Sequence, residues 1–147
     1  MAWVNSVQKA QSTMSVLTYL LGPMRSVKDS INGGSTLLSN NNGAVNAMQA
    51  LLCNYTAITN VTATVFQFTT PDFRRVVTTI PNMNHDLASC TLLPADSPAY
   101  PLLILGKSFS GETTIYGKLY YTIYNPVFDA LSSSKLIGAL FVGVLLS

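Results

Sequence analysis

Charge is scarce in this chain. Lys, Arg, Asp and Glu make up 10% of its 147 residues, against roughly 25% in an average soluble domain. The eight Lys and Arg residues are scattered, with no run longer than Arg74-Arg75. This excludes the clustered basic footprint on which nonspecific nucleic-acid binding depends, because each neutralised phosphate adds separately to affinity. There is one histidine and there are two cysteines. Cys53 and Cys90 allow one disulfide at most and exclude a cysteine-rich scaffold or a zinc cluster; both are read as reduced core thiols. No cofactor is expected.

Several familiar kinds of chemistry are missing as well. Gly106-Lys107-Ser108 has the tail of a phosphate-binding loop, but Pro101 stands where its first glycine belongs. His85-Asp86, with Ser89 and Cys90 close by, invites a nucleophilic relay, yet an Asx-rich turn over Pro81–Asp86 accounts for the same residues. No enzymatic activity is expected. Asp72, Asp86, Asp96 and Asp129 could pool oxygen ligands for calcium across a subunit interface, and solvated turn aspartates are the plainer reading. The N-terminus lacks a basic n-region and VLTYLL is broken by Gly22-Pro23, so no signal peptide is expected. The sequons at Asn54 and Asn60 are accordingly taken as unmodified.

What is present is apolar and neutral polar. The apolar fraction is an ordinary 48%, so the surface falls to Ser, Thr and Asn, which supply little charge repulsion between copies. At this length one domain is expected. Val7, Ala10, Met14, Leu17 and Leu21 recur near the helical period, predicting a helix from about Asn5 to Leu21 and a further turn or short helix from Pro23. Turns are expected at 32–35 and 40–43, and a short helix between Gly43 and Cys53. Strand signals follow at 57–68, 74–80, 87–93 and 100–109. Residues 113–128 read as one strand, with Ile115, Gly117, Leu119, Tyr121 and Ile123 on one face and Tyr116, Lys118, Tyr120, Thr122 and Tyr124 on the other. Leu136–Leu146 is continuously apolar but much shorter than the roughly 20 residues of a spanning helix, and is read as an element buried on all sides.

Leu103-Ile104-Leu105-Gly106, the Ser/Thr/Gly-rich loop 108–114, and Gly117, Leu119, Tyr120, Tyr124 and Phe128 together resemble the end of the coat-protein jelly roll of small icosahedral viruses. The resemblance covers about residues 98–128. It implies a mainly β, antiparallel sandwich of jelly-roll type with an N-terminal helical region: a helical arm or subunit-contact region over 1–42 and a sandwich over 43–147. Asn125 stands where that family usually has an acidic residue, and the basic arm that often precedes its jelly roll has no counterpart here.

The resulting expectation is a structural virion protein that self-assembles into a capsid shell, its partners being copies of itself or other capsid subunits. Leu119, Tyr120, Tyr124, Phe128, Leu140 and Phe141 are the candidate packing and assembly residues. Arg74 and Arg75, beside Phe73, are the candidate contact to a genome, with edge protection of a strand as the alternative. The competing expectation is a membrane-active protein that inserts Val4–Leu21 and Leu136–Leu146 into a bilayer.

Overall fold

The computed structural model describes residues 2–28, 35–39, 43–45, 48–50, 52–54, 61–80 and 91–146. The turns expected at 32–34 and 40–42, the cluster His85, Asp86, Ser89 and Cys90, the strand expected over 87–90 and Asn60 of the second sequon lie outside these residues. The chain opens with helix α1 (Ala2–Leu21). Three short strands follow, β1 (Met24–Lys28), β2 (Ser35–Ser39) and β3 (Gly43–Ala44), paired antiparallel in chain order. Helical residues at 49–50 and 52–54 lead towards the main sheet. That sheet comprises β4 (Thr62–Thr69), β5 (Asp72–Thr78), β6 (Phe109–Ile115), β7 (Lys118–Phe128) and β8 (Leu136–Leu145), with the short helix α2 (Tyr100–Ile104) between β5 and β6.

The five strands are antiparallel in the order β5-β4-β8-β7-β6. β8, the last in sequence, is therefore the central strand. Its uninterrupted apolar run follows from that position, since a central strand covered on both faces has no side to give to water. Residues 137–144 are all buried. Gly138 has a packing reason: a methyl there would collide with the carbonyl oxygen of Phe66 on β4.

The two faces of the sheet have different chemistry. The first is aliphatic: Ala63, Val65, Val77, Ile123, Ile137, Val142 and Val144 pack against Ala10, Met14, Leu17 and Leu21 of α1, with Met24 and Leu37 from the small sheet. The four helix residues recur at intervals of three and four, which places them on one stripe. The second face is aromatic, built from Phe66, Phe73, Tyr120, Tyr124 and Phe141 together with Leu93, Ala99 and Leu103. Tyr124 lies 4.9 Å from Phe141 and 6.3 Å from Phe66, ring centre to ring centre, so one aromatic row crosses β4, β8 and β7.

Several expectations are corrected here. The fold is mainly β with an N-terminal helix, but α1 and a three-stranded sheet occupy the first face, where a jelly roll would place its second four-stranded sheet. Pro23 starts no helix, because the chain enters β1 directly. Residues 100–104 are helical rather than extended: Pro101 sits in the first turn, where its missing N–H costs nothing. Leu103 N–H bonds back to Ala99 O at 2.9 Å. The predicted strand 113–128 is a hairpin, as Tyr116 and Gly117 both take positive φ, 48° and 79°, and form its two-residue turn. The face alternation holds from Tyr120 to Tyr124, but the turn breaks it before them: Ile115 packs with Tyr120 and Tyr124 on the aromatic face, not with Tyr121 and Ile123. Neither proposed membrane segment presents its apolar side outward: Leu17 and Leu21 of α1 are buried against the sheet, and Ile137–Val144 form its centre. Among the described residues no helix is long and apolar enough to cross a membrane.

Candidate functional site

Arg74 and Arg75 do not form one basic patch. Neighbouring strand residues point to opposite faces, so Arg74 is exposed while Arg75 turns onto the aromatic face and keeps only 4% of its surface. A bulge follows immediately. Val65 pairs with Val77 and Phe66 with Arg75, which leaves Val76 as an extra residue on β5. Val76 and Val77 thus both serve the aliphatic face while Arg75 and Phe73 serve the aromatic one.

The guanidinium of Arg75 lies 5.2 Å from the centre of the Phe66 ring and 5.8 Å from that of Tyr116, within cation–π range. Its Nη1 donates to Thr91 Oγ1 at 2.9 Å and to the Leu92 carbonyl at 3.1 Å. Tyr116 Oη donates to the same Thr91 Oγ1 at 3.3 Å. The segment bearing Thr91 and Leu92 runs along the outer edge of β5, held by Arg75 N–H to Thr91 O and Leu93 N–H to Phe73 O. Burial lowers the guanidinium pKa from its ordinary value, against smaller raising effects from Tyr116 and Tyr124. The Tyr124 phenol is pushed well above its usual range, mainly by burial.

A guanidinium carries five N–H donors, and the two on Nη1 are engaged. Among the described residues, nothing accepts from Nε or Nη2, and no carboxylate pairs with Arg75. Among the described residues no side-chain nitrogen or oxygen is both fully buried and unbonded, so Nε and Nη2 each keep some exposed surface. Arg75 lines a cleft of about 450 Å³ over the aromatic face, a volume suited to a small ligand. Leu92, Leu93, Pro98 and Ile115 give it apolar walls, Tyr116 and Tyr124 aromatic ones, and Asp96 and Glu112 also line it. The arrangement is a cationic fork at the base of a mostly apolar cleft, suited to a planar anion.

The other candidate residues do different work. Tyr120, Tyr124, Leu140 and Phe141 are core residues, Leu119 is half-buried, and Phe128 is 38% exposed. Tyr124 alone of these reaches the cleft. Thr91 and Tyr116 were missed by sequence reasoning. A Tyr-Gly pair between two strand-like runs was the available signal for a hairpin tip. Among the described residues no three His, Cys, Asp or Glu side chains come together as a metal site.

The profile of the Cache 3/Cache 2 fusion domain, a sensory extracellular domain family, matches residues 25–147. The chain belongs to that family. No curated protein and no solved structure is similar enough to count as a match. The family membership overturns the capsid reading at every point. The likeness of residues 98–128 to a coat protein is the coincidence of a hydrophobic hairpin; capsid subunits and genome fall away as partners, as does the virion as location, and the bilayer-inserting alternative is left without support.

Proposed function

We propose that this domain is an extracellular sensor that binds a small carboxylate in the cleft over the aromatic face. It works by occupancy, without turnover. One observation carries the reading: Arg75, whose Nε and Nη2 have no acceptor among the described residues, lines a ligand-sized cleft, with no carboxylate from those residues paired to it. An uncompensated buried charge is costly to a fold, and a ligand carboxylate offsets that cost on binding. Family membership supports the same reading, because Cache domains typically bind small molecules in receptors.

Titration calorimetry with acetate as the probe tests it. Acetate is expected to bind, and Arg75→Lys to weaken it by about ten-fold, since lysine keeps the charge but loses the planar fork. Undetectable acetate binding, or binding untouched by Arg75→Lys, defeats the proposal.

A further inference from the structure

Tyr116 is in a conformation its side chain does not favour. At φ 48° it occupies the left-handed region, which residues with a Cβ avoid and which Asn or Gly fills without difficulty in a two-residue hairpin turn. Gly117 provides the second positive φ at no cost. An Asn-Gly pair would suit this turn better. Strain of this kind persists where a side chain is needed in place.

What the ring does there is visible from the sheet order. β5 and β6 are the two edges of the main sheet, yet Arg75 from one edge and Tyr116 from the tip of the hairpin that begins at the other meet over its face, 5.8 Å apart. Phe66, directly beside Arg75 on β4, also lies over the guanidinium, at 5.2 Å. Of the two rings, Tyr116 lines the cleft with Arg75, whereas Phe66 is fully buried beneath them. A carboxylate held by this fork lies in the guanidinium plane. A conjugated aryl group continues in that plane and offers a flat face to the Tyr116 ring, whereas a saturated α-carbon turns its substituents out of the plane and against it. Asp96 lines the same cleft as an exposed carboxylate, and it disfavours a second negative charge on the ligand.

We infer that the cleft selects a flat aromatic monocarboxylate, with Tyr116 as the specificity-determining residue that stacks on its ring. The inference rests on the carboxylate reading above and adds the ligand class. Benzoate and cyclohexanecarboxylate are matched probes, equal in charge and similar in bulk but unlike in planarity. By titration calorimetry on the full chain, benzoate is expected to bind about five- to ten-fold more tightly, as aromatic stacking would provide. Tyr116→Leu, which keeps apolar bulk without a π face, is expected to bring the two within about two-fold. Tyr116→Phe keeps the preference. Equal affinities in the native chain, or a preference that survives Tyr116→Leu, overturn the inference; if acetate still depends on Arg75, the carboxylate reading stands. Loss of all Arg75-dependent binding would instead bring down both. Should Tyr116→Leu fold poorly, Tyr116→Asn supplies the turn residue, and its preference is expected to collapse in the same way.

Discussion

Arg75 keeps its charge under the aromatic face through two hydrogen bonds from Nη1 and two flanking rings. Neutralising it should not loosen the edge it touches. The segment at 91–93 is tied to β5 by backbone bonds of 2.8 and 2.9 Å that do not involve the side chain. A buried charge replaced by an apolar residue of similar length is often neutral or stabilising by about 1–4 kcal/mol. Arg75→Met is therefore expected to hold or raise the thermal midpoint by a few degrees, on the order of 2–4 °C per kcal/mol for a larger domain, while acetate binding disappears. A clear fall in the midpoint by differential scanning calorimetry would mean that the guanidinium exists to pack Thr91 and Leu92. Gly138 is the contrasting residue, where function plays no part. Any side chain there meets the Phe66 carbonyl, so Gly138→Ala is expected to destabilise by roughly 1–3 kcal/mol, read as a lower denaturant midpoint with unchanged slope.

At the scale of elements, the small sheet is fastened to the large one near Asp129. Its carboxylate accepts from Leu131 N–H at 2.8 Å and Ser26 N–H at 3.5 Å, and Ala130 N–H donates to Met24 O at 2.8 Å. The Leu131 hydrogen bond is the main reason that the Asp129 pKa falls below its ordinary value; Ser26 and the charge of Lys135 also lower it, against a smaller opposing effect of desolvation. A depressed carboxyl pKa stabilises the fold above the unfolded value of about 4. That stabilisation is lost as pH falls through the lower folded value. The stability gap between native chain and Asp129→Asn should hence be constant from neutral pH to about 5 and close on further acidification. Urea unfolding at a series of pH values measures it, and a gap that widens in acid would refute the assignment. The elements themselves were unevenly legible. The α1 stripe, the alternation in β7 and the burial of β8 are periodic signals and could be read directly. Residues 100–109 were misread because Leu, Ile and Tyr suit helix or strand alike, and only the Pro101 position and local bonding decide it. Of the site, only Arg75 was legible, as a candidate contact to an anion. Its meeting with Tyr116 was not, because the two residues belong to different hairpins.

On the scale of the whole molecule, the sheet separates support from sensing. Its aliphatic face is filled by α1 and the small sheet, while its aromatic face carries the cleft, bounded by β5, the β6–β7 hairpin and the 91–93 segment. A ligand that binds only the native state stabilises it by RT ln(1 + [L]/Kd), about 2.7 kcal/mol at a hundredfold excess over Kd. Global unfolding everywhere slows by that amount. Local openings slow only where the ligand bridges the parts that separate. Because an occupant of the cleft would bridge Arg75 on β5 and Tyr116 on the hairpin, amide exchange should slow most in Asp72–Thr78, in residues 91–93 and around Ile115–Lys118. Exchange around Val7 and Ala10 of α1, which pack on the opposite face, should be unchanged. Hydrogen exchange with and without saturating benzoate distinguishes this pattern from its alternative. Protection confined to α1 and β1 would place the ligand on the first face, near the cleft formed by Gly22, Pro23 and Val127, and would detach Arg75 from sensing.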